Sequence, residues 1–434
     1  MRSRTNVRWL LIGWTFAISA VAYLDRVNIS IAGHSIALEY HFSNVELGYV
    51  FSAFVLGYAL FQAPGGRLAD WLGPRLTLTA GLMWWGVFSA LSAAIPSGIG
   101  RALWILVAVR FTLGIGEAVM YPASNRLVAE WIPSSERGRA NGVIFAGVGA
   151  GAGVTPPLIV YVMQHYGWRW SFFVSAGIGV AAAIIWYLIA RDIPADHPLV
   201  NEEERRFIEA GLPQLPAATT REVPWRAIGA SRELWAMTLS YFAYGYAAYI
   251  FFSWFFIYLN SVRGLDLKAS RWYGILPFIA MAICSPLGGW ISDAISRRSG
   301  ERAGRCGIAV FGMAFAAVFI AGATQVQSAR LASIILAGGA GALYLSQSSF
   351  WAVTADIAGS CAGTVSGLMN MGGQIGGAVT ASLTPWIATR YGWTASFVTA
   401  GSLCALGAVP WLVVEPLRKL AESRDEIRST AARH

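Results

Sequence analysis

Stretches of about 20 mostly apolar residues follow one another along this entire chain, each long enough to cross a bilayer as a helix. Inside hydrocarbon, backbone N–H and C=O groups find no water. A crossing segment must satisfy them internally, as a helix does. Twelve such stretches are predicted. Six lie in the first half, at 9–30, 47–68, 76–94, 103–129, 138–161 and 170–190. Six lie in the second, at 234–260, 272–291, 307–323, 331–355, 363–388 and 395–414. Of the 434 residues, 56% are hydrophobic and only 13% charged, whereas a soluble domain carries about 25% charged residues. The expectation is an all-α membrane protein of twelve transmembrane helices.

The two halves read as copies. Gly66-Arg67-Leu68-Ala69-Asp70 returns as Gly289-Trp290-Ile291-Ser292-Asp293, an offset of 223 residues. Tyr166-Gly167-Trp168 returns as Tyr391-Gly392-Trp393, an offset of 225. Two independent motifs at nearly one offset, each after the same span of its half, predict a parallel repeat. Such repeats build transporters that bind substrate near the bilayer midplane, between the halves. The expected bundles are 1–190 and 233–415, joined by a cytoplasmic loop at 191–232 and followed by a cytoplasmic tail at 416–434. Within the loop, Glu202-Glu203-Glu204-Arg205-Arg206 precedes prolines 213, 216 and 224, and 203–210 is predicted as a surface helix.

The net charge of +9 would suggest nucleic acid in a soluble protein. Here positive-inside bias explains it. Arg4, Arg8, Arg67, Arg75, Arg137, Arg139, Arg297, Arg298 and the tail fall on one side. Arg101, Arg169, Arg263, Lys268 and Arg330 fall on the other. The bias is roughly three to one and places both termini in the cytoplasm, with the chain in the inner membrane. Met1-Arg2-Ser3-Arg4 with Ala20-Val21-Ala22 has the outline of a cleavable signal peptide. Apolar character resumes past Asn28, so this segment is expected to remain as the first helix.

Charges inside the spans are the candidates for function. Asp25-Arg26 lies in span 1, and Arg110 with Glu117 in span 4. A charge at bilayer depth costs roughly 2.5–3.5 kcal/mol on insertion scales and is kept for a task. Arg110 and Glu117 are seven residues apart, two turns of helix and about 10.5 Å along one face. Asp25 and Arg26 point about 100° apart, so one can face a cavity while the other faces a neighbouring helix. Arginine stays charged and grips a carboxylate bidentately. A desolvated Asp or Glu can take up and release a proton near neutrality. Arg26 is therefore the expected substrate ligand, supported by Arg110, and Asp25 and Glu117 are the expected proton carriers. The competing reading is an ion-pair cluster that only holds spans 1 and 4 together.

These residues sit in patterns that resemble the major facilitator superfamily over nearly the whole chain. Gly66-x-Leu68-Ala69-Asp70-x-x-Gly73-x-Arg75 is similar to its signature loop between spans 2 and 3, with Trp71 where a basic residue is common. Tyr23-x-Asp25-Arg26-x-Asn28-x-Ser30, with Arg110, Gly114-x-Gly116-Glu117-Ala118 and Tyr121-Pro122-Ala123, resembles the anion:cation symporter branch. That branch includes bacterial proton symporters for galactonate, glucarate and hexuronates. The resemblance implies a proton-coupled importer of a small organic anion, working as a monomer in the lipid bilayer by alternating access. It implies that Gly66, Asp70 and Arg75 gate the transporter and that Asp70 latches the outward-open state; Asp293 with Arg297 and Arg298 is expected as a weaker partner latch. It also places polar substrate contacts near Gln347 and Asn370. Tyr23 and Tyr58 could add hydroxyls.

Other classes fit less well. A sodium-coupled carrier would use the same carboxylates, and a carrier of an aromatic or other carboxylic acid the same arginines. Buried arginines disfavour a drug antiporter for cations. No His-Glu-x-x-His or Gly-x-Ser-x-Gly pattern suggests an enzyme. Cys284, Cys306, Cys361 and Cys404 lack ligand spacing, so neither metal, disulfide nor cofactor is expected. The glycine-rich runs at Gly147–Gly153 and Gly372–Gly377 read as close-packing helix faces.

Overall fold

The computed structural model describes residues 4–98, 100–212, 224–255, 258–264, 267–418 and 420. Arg2, the prolines at 213 and 216, and most of the basic tail lie outside the described residues. Among the described residues every regular element is helical, and the helices account for twelve spans. The first half holds span 1 (Val7–Tyr40), span 2 (Asn44–Leu60 with Gln62–Leu72), span 3 (Pro74–Ala94), span 4 (Ala102–Glu117 with Met120–Trp131), span 5 (Arg137–Tyr166) and span 6 (Trp168–Ile189). The second holds span 7 (Arg232–Ser253), span 8 (Leu267–Ser299), span 9 (Gly307–Gly322) and span 10 (Ala329–Ala358). Spans 11 and 12 share Ala362–Ala408, divided by Gly392 at φ 85°.

Two spans are broken where a proline cannot donate to the carbonyl four residues earlier. Pro64 strips the donor from Leu60, and the two parts of span 2 meet at 46°. Pro122 lies just past the break between Glu117 and Met120. Pro277, Pro286 and Pro385 lie inside continuous helix. The tight turns repeat between halves as well. Gly73 and Gly300 close spans 2–3 and 8–9, and Gly167 and Gly392 close spans 5–6 and 11–12, all at φ between 84° and 90°. Only glycine takes that backbone without strain.

Both ends of the folded chain lie on one face, called here the terminal face. Arg8 pairs with Glu136 at 3.0 Å. Nearby, Arg305 donates to the Ser134 carbonyl at 2.7 Å, and Arg302 pairs with Glu415 at 2.6 Å. The surface helix of the central loop, Glu202–Gly211, docks against the same face. Buried Glu204 accepts from the Val7 N–H at 3.1 Å and from the Arg8 guanidinium at 2.8 Å, and so caps the start of span 1.

On the terminal face the halves are sealed together by two matching contacts. A Cβ on Gly66 would collide with the Gly363 backbone, and one on Gly289 with that of Gly138. Beside the first contact, Asp70 accepts from the N–H groups of Gly363 (2.9 Å) and Thr364 (2.8 Å) at the start of span 11. Beside the second, Asp293 accepts from Gly138 (2.9 Å) and Arg139 (2.7 Å) at the start of span 5. Each carboxylate caps a helix N-terminus of the opposite half. We predict that Gly66→Val prevents this closure, at a cost of about 1–3 kcal/mol for overpacking. Hydrogen exchange at the Gly363 and Thr364 amides should speed up; unchanged exchange would contradict the contact.

Candidate functional site

A cavity lies on the seam between the halves. Tyr23 and Arg26 of span 1, Tyr58 of span 2 and Tyr121 of span 4 form one wall. Tyr241, Tyr244 and Tyr249 of span 7, Tyr344 and Gln347 of span 10, and Asn370 and Gln374 of span 11 form the other. The charged groups belong to the first half, and the facing wall supplies phenols and amides.

Arg26 is held at the wall by three neighbours. Its Nε donates to Glu117 Oε1 at 2.5 Å. Its guanidinium lies 4.1 Å from the centre of the Tyr58 ring and 5.1 Å from that of Tyr23. A cation over an aromatic face is stabilised without being neutralised. Nη2 of Arg26 and Oε2 of Glu117 are buried without a hydrogen-bond partner. Such a donor costs about 1–3 kcal/mol while it stays unpaired, and a ligand acceptor can recover that. Gln347 Oε1 and the Tyr58 hydroxyl are likewise unpartnered.

The second pair stands behind this wall. Arg110 Nη1 donates to Asp25 Oδ2 at 3.3 Å, both fully buried, and Ser89 of span 3 donates to Asp25 Oδ1 at 2.6 Å. The 100° step between Asp25 and Arg26 thus sends one to the helix interface and the other to the cavity. Arg110 packs over Phe54 and does not line the cavity. The structure therefore brings the four charges together as two pairs, Arg26–Glu117 and Arg110–Asp25, and offers only Arg26 to a ligand.

The remaining sequence candidates divide in the same way. Tyr23, Tyr58, Gln347 and Asn370 line the cavity. Gln347 Nε2 donates to the Tyr241 hydroxyl at 2.9 Å. Gly66, Asp70 and Asp293 form the terminal seam. Arg75 is tied within its own half, donating to the Tyr187 carbonyl at 2.9 Å while its N–H caps onto Asp192 at 2.8 Å. Asp293 pairs with Arg305 at 2.6 Å, whereas Arg297 donates to the Ser135 carbonyl. Arg126 of span 4 pairs with Glu130, one turn on, at 2.5 Å and also reaches the Gly359 carbonyl at 3.2 Å across the seam.

Several participants escaped the sequence reading. Ser89 carries no signal among the small residues of span 3. Tyr249 and Gln374, joined at 2.6 Å, look like ordinary span residues until spans 7 and 11 are paired. Gln62 could have been found, since it lies one turn past Tyr58 in an apolar run.

Two helical bundles crossing a membrane, with a charged pocket at their seam and a sealed face on one side of it, define a solute carrier. The sequence profile of the Major Facilitator Superfamily matches residues 15–381, and the chain belongs to that superfamily. It is an integral membrane transporter and not an enzyme. It is 33% identical over 428 residues to a probable sulfoacetate transporter, SauU, of Cupriavidus necator, covering 98% of both chains. It is 31% identical over 398 residues to a probable galactarate/D-glucarate transporter, GudP, of Escherichia coli, covering 88% of this chain and 87% of the relative. The proton:xylose symporter XylE, solved with 6-bromo-6-deoxy-D-glucose, shares the fold. Its TM-score is 0.76 over 96% of this chain and 98% of that one, at 15% identity.

The pairing makes a stability prediction. Arg26→Ala leaves Glu117 buried with no cation of its own, a loss of about 3–5 kcal/mol for a broken buried pair. Adding Glu117→Gln should restore part of the lost thermal stability in detergent. A single variant as stable as the parent protein would contradict the buried pair.

Proposed function

We propose that this chain is a proton-coupled symporter that imports a small organic anion, a sugar acid of the galactonate, glucarate or hexuronate type, by alternating access. The observation that carries the reading is Arg26, a buried cation on the cavity wall with one nitrogen on Glu117 and another unpartnered. An anionic ligand is the group that such a nitrogen lacks.

Charge balance supplies the coupling. Two arginines and two ionised acids sum to zero in a buried site. A bound anion adds a negative charge that low-dielectric surroundings disfavour. Protonation of Glu117 restores neutrality and frees Arg26 for the incoming carboxylate. Asp25, clamped by Arg110 and Ser89, is the second proton carrier. Gln347 and Asn370, with Tyr23 and Tyr58, meet the hydroxyls of a sugar acid. The bundles 1–190 and 233–415 rock about the site. Asp70 and Asp293 hold the terminal face shut until the loaded site releases them, with Gly66 allowing close approach and Arg75 bracing the turn. The terminal face is the cytoplasmic one, in the inner membrane, and the carrier works as a monomer. Kinship with the galactarate/D-glucarate transporter supports the sugar-acid class. A second reading, a short sulfonate, is favoured by kinship with the sulfoacetate transporter.

Proteoliposomes separate these steps. Glu117→Gln is expected to retain anion exchange across the membrane and to lose accumulation driven by a pH gradient. Wild-type accumulation by this variant would refute the role of Glu117. Uptake should proceed without sodium, and an absolute sodium requirement would favour the sodium-coupled alternative.

A further inference from the structure

Gln62, between the cavity and the terminal seal, is a polar side chain that the transport cycle above does not use. Gln62 is fully buried and begins the second part of span 2, directly after the break at Phe61. It does not line the cavity. Its Oε1 accepts from Asn370 Nδ2 at 2.8 Å, across the seam from span 11. Its Nε2 has no hydrogen-bond partner.

That bond joins the site to the gate on both sides of the seam. On span 11, Asn370 Oδ1 accepts from Gln374 Nε2 at 3.4 Å, and Gln374 Oε1 accepts from the Tyr249 hydroxyl at 2.6 Å. All three of those residues line the cavity. On span 2, Tyr58 lies one turn from Gln62 beneath the Arg26 guanidinium. Asp70 lies eight residues further on, about 12 Å along the helix. Between them, Gly367 packs directly against the Gln62 backbone.

We infer that Gln62 is a positioning residue that couples occupancy of the cavity to opening of the terminal face, by competing with the bound anion for the Asn370 amide. The inference rests on the proposed reading that the cavity takes an anion. With the cavity empty, Asn370 gives its N–H to Gln62 and holds spans 2 and 11 together above the Asp70 seal. A ligand oxygen accepting from Asn370 draws the amide away. Gln62 is then left buried with neither polar atom paired, a state that penalises the closed seam and not an opened, hydrated one. Binding thereby loosens the seal two turns away without touching it.

The test compares Gln62→Leu, which removes the acceptor at similar volume, with Gln62→Glu, which keeps an acceptor oxygen for Asn370. Hydrogen exchange at the Gly363 and Thr364 amides reads the gate in the full chain in nanodiscs. Without anion, Gln62→Leu should exchange about threefold to tenfold faster than wild type, the range expected for one lost hydrogen bond. Gln62→Glu should stay near wild type. D-Glucarate or sulfoacetate should accelerate exchange in wild type and add nothing in Gln62→Leu. Equal anion-free exchange in wild type and Gln62→Leu, or acceleration by the anion surviving intact in Gln62→Leu, overturns the inference. If thermal shift detects binding of neither anion to wild type, the anion reading is what fails, and the anion-free comparison still decides the role of Gln62 in the gate.

Discussion

The ion pair between Arg26 and Glu117 is the constraint around which the rest is arranged. Two opposite charges 2.5 Å apart at bilayer depth stabilise each other, yet each keeps a buried polar atom without a partner. Replacing such a pair with apolar side chains is often neutral or stabilising, so stability alone gives little reason to retain it. A pair that is incomplete on the cavity side is suited to exchange one of its members for a ligand. In the second pair both Asp25 oxygens are occupied, by Arg110 and Ser89, while Arg110 Nε has no partner, and the pair sits behind the wall. Its place between spans 1, 3 and 4 fixes the helix that carries Arg26.

The terminal seam follows a different logic. It adds helix N-termini to buried side-chain cations, Arg305 on Asp293 and Arg137 on Asp356. Asp70 reaches span 11, and Asp293 reaches span 5. The acceptors are 223 residues apart, and the amides they meet, Gly138 and Gly363, are 225 apart. The duplicated chain thus closes on itself by the same device used twice. A helix terminus carries about half a unit charge, enough to hold a carboxylate and weak enough to release it. Glycines at Gly66, Gly138, Gly289 and Gly363 make the contact possible, since any side chain there would part the halves.

Much of this was legible before any coordinates. The twelve apolar stretches predicted twelve spans because hydrocarbon leaves the backbone no alternative to the helix. The repeated Gly-x-x-x-Asp motif marked both seals, although Asp293 turned out to act with Arg305 and not with the neighbouring Arg297 and Arg298. Pro64 and Pro122 mark real breaks while Pro277, Pro286 and Pro385 do not, and sequence alone cannot say which freed carbonyls find other support. The charged half of the site was readable because charge in an apolar run is conspicuous. The opposite wall was only half readable. Gln347 and Asn370 stood out as amides, but Tyr249, Gln374 and Gln62 depend on which faces of spans 2, 7 and 11 meet. That pairing arises from packing between halves far apart in sequence.

In the proposed cycle an anion takes Arg26 from Glu117 while Glu117 takes a proton. Calorimetry of anion binding to the purified carrier, in buffers of different ionisation enthalpy, measures that exchange directly. Net proton uptake is expected when D-glucarate binds. Binding with no proton exchanged, or with protons released, would contradict it.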